Sequence, residues 1–109
     1  MDITLPSSAV SYNLFDRIVL IDANAGKNVR GGNIYIPAAA EIAGNAGASV
    51  LIGQANAGKT AISQAEYPPL VEGDNYNIPQ DIKNTYSLKS RFIQANIDNA
   101  TVRVSLLYA

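Results

Sequence analysis

Eight consecutive residues match the phosphate-loop pattern G-x-x-x-x-G-K-[ST], which in other proteins binds a nucleotide. They run from Gly53 to Thr60 and follow an apolar segment, residues 48–52. In such a loop the glycines let backbone N–H groups wrap the phosphates, the lysine neutralises charge, and the hydroxyl holds magnesium. Taken alone, the octapeptide predicts a nucleotide site in which Lys59 contacts the phosphates and Thr60 holds the magnesium ion.

The sequence around the octapeptide lacks the elements that a phosphate loop needs. A long helix must follow the loop, but the two prolines that begin at Pro68 allow at most two turns. The carboxylate that would organise the metal, Asp22, precedes the loop instead of following it. We therefore favour a hairpin, in which residues 55–59 connect the strands Ser49–Gln54 and Thr60–Gln64, because asparagine and glycine tolerate positive φ.

Other catalytic chemistry has no candidate residues. The chain contains no cysteine and no histidine, which excludes thiol nucleophiles, disulfides, imidazole bases and most zinc or copper sites. The densest acidic group, residues 72–75, does not have the alternating carboxylates of a calcium loop. No motif marks a serine–lysine dyad. We predict that the protein is not an enzyme and that it has no catalytic residue, cofactor or metal ligand.

Composition indicates one soluble domain with neutral surfaces. The chain has 109 residues, of which 48% are apolar and 16% charged, and its net charge is −1. Such a chain can enclose one core, and it has no charge excess that would attract nucleic acid or anionic lipid. No signal peptide and no membrane-spanning run is evident. We expect synthesis in a host cytoplasm, with no nucleic-acid or membrane partner.

Short strand-like segments separated by turn residues recur along the chain. They are residues 9–14, 17–22, 32–36, 50–54, 61–64, 75–78, 86–88, 91–97 and 101–108. In the last segment Val102, Val104 and Leu106 share one face under the period-2 geometry of a strand. The turn residues Asp98 and Asn99 predict that this segment forms a hairpin with residues 91–97.

About seven to nine strands at this spacing predict an all-β fold, a single antiparallel β-sandwich of the jelly-roll or Ig-like kind. We assign residues 15–109 to the sandwich and residues 1–14 to an N-terminal arm or the first strand. The alanine-rich stretch Pro37–Ala43 is compatible with one or two helical turns or with a flexible loop.

Surface residues suggest protein–protein contact. An apolar arm can add to the edge of a neighbouring sheet, and tyrosine supplies contact area together with a hydrogen bond. The predicted interface residues are Ile3, Leu5, Val10, Tyr12, Leu14, Tyr67 and Tyr76.

Several of these segments also occur in a recognisable succession. They are Leu70–Ile78, Asp81–Ile82, Phe92–Ala95 and Val102–Tyr108, preceded by the segments Arg17–Asp22 and Gly32–Ile36. This succession resembles small all-β structural proteins of tailed bacteriophage virions over most of residues 15–108, and departs from them after Pro37. The resemblance implies a cement, decoration or adaptor protein on a capsid or tail, with no enzymatic residues.

We therefore expect a homo-oligomeric structural protein, located in the virion, that binds the major capsid protein or another virion protein. One alternative is a carbohydrate-binding or host-adhesion module on the same fold. A second alternative is a nucleotide-binding protein that uses Gly53, Gly58, Lys59 and Thr60.

Overall fold

The structure is a computed structural model that describes residues 1–23, 29–66, 68–78 and 90–108, without the side chains of residues 29, 30 and 108. These residues form nine strands and one short α-helix. The elements are β1 (Asp2–Leu5), β2 (Tyr12–Asn13), α1 (Leu14–Val19), β3 (Val29–Tyr35), β4 (Ser49–Ala55), β5 (Ile62–Ala65), β6 (Leu70–Val71), β7 (Asn75–Ile78), β8 (Phe92–Ala95) and β9 (Ala100–Tyr108). No helix in the described ranges is long and apolar enough to cross a membrane.

The strands form two antiparallel sheets with the orders β1-β9-β3-β7 and β2-β8-β4-β5. The short strand β6 lies on the same edge of β4 as β5, since Gly53 pairs with Ala65 and Val50 pairs with Leu70. Strands β5 and β6 therefore act as one edge strand that is interrupted near Pro69.

Counted in this way, the strand pairs are nested along the chain. Strand β1 pairs with β9, β2 with β8, β3 with β7, and β4 with the β5–β6 edge. Eight strands in this nested order form a jelly roll, a double-sheet architecture. The prediction of a single antiparallel β-sandwich is confirmed, and the strand order is the jelly-roll one.

Alternation along the strands forms the core between the sheets. In β9 Val102 and Val104 are buried while Ser105 is exposed, as the sequence pattern predicts. Residues 2–5 belong to the chain's own sheet, where Ile3 and Leu5 are buried. Each aliphatic side chain of this kind stabilises the fold by roughly 1.5–3 kcal/mol when it leaves water.

The predicted strand at residues 17–22 is wrong, because the chain forms the helix α1 there. Asn13 caps this helix, and its side-chain oxygen accepts a 3.0 Å hydrogen bond from the Asp16 backbone N–H. Leu14 and Ile18 lie one turn apart and are both buried. Capping and packing thus override the strand preference of the β-branched residues.

The predicted C-terminal hairpin is also wrong, because β8 and β9 lie in different sheets. The turn between them is bound to the β1–β2 connection. The Asn99 N–H donates to the Pro6 carbonyl at 3.2 Å, and the Ser8 N–H donates to Asp98 Oδ1 at 2.8 Å. The turn therefore reverses the chain while carrying it across the sandwich.

The alanine-rich stretch combines the two alternatives that its sequence left open. The Ile42 N–H donates to the Ala38 carbonyl at 2.9 Å, which closes one helical turn, and a short 3-10 helix follows at Ala43–Asn45. The positive φ of Gly47, 72°, then redirects the chain into β4. The predicted strand at residues 86–88 lies outside the described residues.

The two ends of the sandwich differ in content, because alternate connections meet at the same end. One end, which we call the helix end, carries α1, the β4–β5 turn and the start of β8. The other end carries the β1–β2, β3–β4, β6–β7 and β8–β9 connections, in which Asn45, Asn96 and Asn99 lie. We call it the asparagine end.

Candidate functional site

The phosphate-loop octapeptide forms the end of β4 and the tight turn to β5. The Asn56 side-chain oxygen accepts a 2.9 Å hydrogen bond from the Thr60 backbone N–H, and its amide donates to Thr60 Oγ1 at 2.9 Å. The Lys59 N–H donates to the Asn56 carbonyl at 3.1 Å. The N–H groups of residues 59 and 60, which a phosphate loop would offer to a ligand, are thus used within the turn.

Gly53 has a packing role in this hairpin. It pairs with Ala65 of β5, and a Cβ atom at position 53 would clash with the Gln64 carbonyl oxygen. Lys59 occupies the left-handed region with φ of 58°. The hairpin prediction for this segment is confirmed, and the glycine is required by the close approach of two strands.

An open groove of about 490 Å³ lies beside this hairpin at the helix end. Strand β2, helix α1, the β4–β5 turn and the start of β8 each contribute residues to it. We call it the cation groove, defined by Ser11, Tyr12, Arg17, Leu20, Lys59 and Phe92.

Each basic side chain of the cation groove lies over an aromatic ring. The Lys59 ammonium is 4.8 Å from the centroid of the Phe92 ring, and the Arg17 guanidinium carbon is 4.9 Å from that of Tyr12. Arg17 Nη2 also donates a 2.9 Å hydrogen bond to the Thr4 carbonyl. The rings attract these cations through their quadrupoles and hold the two charges at defined positions.

Among the described residues, the two cations of the groove lack the carboxylate partners that Arg91 and Arg103 have. Arg91 forms an ion pair with Glu66 at 2.8 Å, and Arg103 forms one with Asp2 at 2.9 Å. The hydrogen bond from Arg103 lowers the pKa of Asp2. Within the described part of the chain, the two basic side chains of the cation groove form no ion pair.

Two buried polar atoms at the groove have no hydrogen-bond partner in the described ranges. They are Ser11 Oγ and Arg17 Nε. Ser11 is 3% exposed, and its backbone N–H is bonded to the Lys59 carbonyl at 3.0 Å. Most buried polar atoms in proteins are hydrogen-bonded, so two unbonded donors beside one groove distinguish it from the rest of the described structure.

A second polar cluster has the opposite character. The Tyr76 hydroxyl donates to Glu66 at 2.9 Å and accepts from Arg91 Nε at 2.8 Å. Burial, followed by the hydrogen bond to the Glu66 carboxylate, raises the pKa of Tyr76 to about 12. The cluster joins β7 of one sheet to the segments beside β5 and β8 of the other, so it is a structural tie between the sheets.

Most of the predicted interface residues are core residues. Ile3, Leu5, Leu14 and Tyr76 are at most 3% exposed, so their side chains pack inside the chain and offer no surface to a partner. The apolar pattern of residues 3–14 reflects this core packing. Two further residues of the predicted set, Val10 and Tyr12, are half-buried, with Tyr12 in the cation groove. The last, Tyr67, lies outside the described residues.

The exposed large apolar side chains are ones that the sequence patterns did not single out as surface. Among the described residues they are Leu20, Ile21, Val71 and Leu107. Leu20 and Ile21 lie in the segment that the β-branched pattern wrongly predicts to be a strand. A helix that begins after the Asn13 cap ends before them, at Val19.

In the described ranges, no three acidic, histidine or cysteine side chains are grouped so that they could hold a metal ion.

Comparison with other proteins identifies no relative. No protein-family model, curated protein or solved structure matches the chain. Its function must therefore be inferred from its own geometry.

Proposed function

We propose that the chain is a non-enzymatic structural protein of a virion, which binds the protein shell and stabilises it through protein–protein contacts. The observation that carries the proposal is the nested strand order of the eight-stranded jelly roll. Viral capsid domains use this architecture repeatedly, and lectins use it as well. This support is an analogy between folds, since one fold hosts many functions.

The helix end offers independent support, because apolar surface is concentrated there. Leu20 is 72% exposed, Ile21 is 54% exposed and Leu107 is 51% exposed. Leu107 belongs to this end because β9 finishes where β3 begins, with Val29 opposite Tyr108. Exposed apolar side chains that share one region mark interaction sites in soluble proteins.

The mechanism we propose is burial of the helix end against a shell protein or a second copy of the chain. Contact removes Leu20, Ile21 and Leu107 from water, and each fully buried aliphatic side chain contributes roughly 1.5–3 kcal/mol. The unpaired cations of the groove fix the orientation of the contact, because charge complementarity selects partners more than it adds affinity. The jelly roll behind them is the rigid body that braces the shell.

The first test is the gene neighbourhood together with binding to the encoded shell. A capsid or tail gene beside the coding sequence supports the proposal and supplies the protein from which shells are assembled. The purified chain should then pellet with these shells, and light scattering should show a homo-oligomer. Neighbouring genes of unrelated metabolism, or a monomer that stays in solution beside assembled shells, would contradict the proposal.

Matched variants locate the contact. Leu20→Ser and Leu107→Ser should each reduce the pelleted fraction, because both side chains lie at the helix end. Val71→Ser removes a similarly exposed apolar side chain at the asparagine end and should leave pelleting unchanged. Equal loss in all three variants would contradict the helix end as the contact.

A second candidate is a carbohydrate-binding or host-adhesion module, which the two aromatic rings of the cation groove favour. Sugar rings stack on open aromatic faces. Here Arg17 covers one face of the Tyr12 ring and Lys59 one face of the Phe92 ring, which counts against this candidate. A glycan array is the direct test. Strong hits that are lost in a Phe92→Ala variant would favour this candidate over the shell-binding role.

The remaining alternative is a nucleotide site at Gly53–Thr60. It requires N–H groups that already donate to Asn56 within the turn. We expect calorimetry with magnesium and ATP or GTP to give no heat of binding. Heat that is lost in a Lys59→Ala variant would favour nucleotide binding.

A further inference from the structure

We propose that the cation groove binds a carboxylate side chain of a partner protein, placed next to an aliphatic side chain that packs on Leu20. The assignment rests on the proposed function in taking the occupant to be a protein. It is carried by the coincidence, in one groove, of unpaired cations, unbonded buried donors and an exposed leucine.

The charges at the groove select a single negative charge. Arg17 and Lys59 are cationic, and the exposed carboxylate of Asp16 also borders the groove. Two cations and one carboxylate leave one net positive charge, which one Asp or Glu side chain neutralises. The four described arginine and lysine side chains thus divide into two that have an internal carboxylate and two that can receive an external one.

Hydrogen-bond donors at the groove match a carboxylate. A carboxylate has two oxygens, each with two lone pairs, and accepts bonds from several donors at once. The Lys59 ammonium and the Arg17 guanidinium supply the first contacts. Arg17 Nε and the Ser11 hydroxyl are covered in the free protein. For Nε to reach the ligand, the Arg17 side chain must turn, and the carboxylate then replaces the contacts of the guanidinium with the Tyr12 ring and the Thr4 carbonyl. Binding in this way gives Nε the partner that it lacks.

The apolar part of the groove favours a protein segment over a glycan or a nucleic acid. Leu20 is 72% exposed and offers a wall on which an aliphatic side chain packs. The cations cover ring faces on which sugars or bases would stack. The chain as a whole carries a net charge of −1, which gives no general attraction for phosphate backbones.

The probe is the blocked peptide acetyl-Gly-Leu-Glu-Leu-Gly-amide, titrated into the isotope-labelled full chain and followed by NMR. We expect the Lys59 and Ser11 amide signals and the Arg17 Nε–H signal to shift with one common affinity. The matched peptide with Gln in place of Glu has the same size without the charge, and we expect it to bind about tenfold more weakly. Added salt should weaken only the Glu peptide.

Variants separate the charge of the groove from its shape. Lys59→Met keeps most of the stem and should weaken the Glu peptide about tenfold, whereas Lys59→Arg should retain binding. Arg103→Gln is the control, since it removes one positive charge from a side chain that is already paired with Asp2. We expect Arg103→Gln to leave the affinity of the Glu peptide unchanged.

The outcomes are decisive in both directions. Equal affinity for the Glu and Gln peptides, shifts confined to other surfaces, or no shift at all would overturn the carboxylate site. Sialyllactose that shifts the groove signals when the peptide does not would assign the groove to a glycan instead. If the chain pellets with shells but does not bind the peptide, the shell-binding function stands and the carboxylate site is wrong. If it binds the peptide but not the shells, the carboxylate site stands and the shell-binding function is wrong.

Discussion

The two ends of this sandwich differ in how completely their polar groups are hydrogen-bonded. At the asparagine end, side chains bind the backbone of neighbouring loops. The Asn45 amide donates to the Pro37 and Thr101 carbonyls, each at 2.8 Å, and accepts from the Thr101 N–H at 2.8 Å. Asn96 likewise accepts from the Ser49 N–H at 2.7 Å. Loops that would otherwise leave buried backbone groups unbonded are closed in this way.

At the helix end Asn13 and Asn56 bind backbone groups in the same way, but other polar groups there have no partner in the described part of the structure. Ser11 Oγ and Arg17 Nε are buried without a partner in the described ranges, two cations lack carboxylates, and Leu20 faces solvent. Such features weaken an isolated domain, since unbonded buried donors and exposed apolar area are unfavourable in water. The difference between the ends is consistent with the proposal that the helix end is the contact surface, while the asparagine end contributes internal stability.

The largest expected effect is the loss of the Asn45 amide. Asn45→Ala removes three hydrogen bonds and leaves backbone groups of Pro37 and Thr101 unsatisfied, so we expect the free energy of unfolding to fall by about 3 kcal/mol. Urea denaturation measures the change. Asn33→Ala is the control, because within the described ranges the Asn33 amide donates only to the exposed Asn77 side chain, at 3.0 Å. Similar losses in both variants would remove the distinction between a closing amide and a surface amide.

The next effect concerns the hairpin that borders the cation groove. In Gly53→Ala the new methyl group would clash with the Gln64 carbonyl oxygen, so β5 must move, and we expect the free energy of unfolding to fall by about 2 kcal/mol. In Gly58→Ala the methyl group would meet only the Thr60 side chain, at 4.0 Å, so stability should be nearly unchanged. A phosphate loop needs both glycines, whereas a hairpin needs only the first. Equal sensitivity of the two positions in urea denaturation would contradict the hairpin account.

Sequence periodicity predicted the core of the fold, because burial alternates along strands by simple geometry. Val102 and Val104 were assigned to one face, and both are buried. Turn residues predicted where the chain reverses, but not which strands pair, so Asp98 and Asn99 suggested a hairpin where the chain crosses between sheets. A two-residue motif describes the local backbone and contains no information about β1 and β3, the two distant strands that pair with β9.

The candidate site was hidden for the same reason. Arg17, Lys59 and Phe92 are far apart in the sequence, so nothing in it marks them as neighbours. Nested strand pairing brings α1, the β4–β5 turn and the start of β8 to one end. The helix itself had a readable signal, namely the Asn13 cap followed by Leu14 and Ile18 one turn apart. The β-branched run obscured it.

A third, smaller effect concerns the cluster of Tyr76, Glu66 and Arg91 that joins the two sheets. In contrast to the cation groove, this cluster pairs its cation with a carboxylate. Tyr76→Phe removes the hydroxyl that bridges Glu66 and Arg91 but leaves their 2.8 Å ion pair, so we expect a loss of about 1 kcal/mol near neutral pH. The tie should also depend on pH. The folded protein raises the pKa of Tyr76 from 10.0 to about 12, so the native state retains the proton to a higher pH than the unfolded state. This contribution is complete below pH 10 and is lost as pH rises towards 12.

The difference between the wild-type and Tyr76→Phe proteins isolates this titration from other groups that ionise in alkali. Urea denaturation at pH 8, 10 and 11.5, values chosen to bracket the pKa range, should show the stability difference shrinking as pH rises. A difference that grows with pH would mean that the hydroxyl is not held in its protonated form by the fold.

The smallest effect on stability is expected where the effect on contact is largest. Leu20 is 72% exposed, so Leu20→Ser should change the free energy of unfolding by less than about 0.5 kcal/mol. The same substitution removes the apolar wall of the cation groove, so binding of the Glu peptide and pelleting with shells should both weaken. Asn45→Ala should have a lower free energy of unfolding. At a temperature where it remains folded, it should still bind the Glu peptide and pellet with shells. Suppose that Leu20→Ser instead destabilised the chain and left both kinds of binding intact. Leu20 would then stabilise the fold, and the result would contradict the proposal that the helix end is the contact surface.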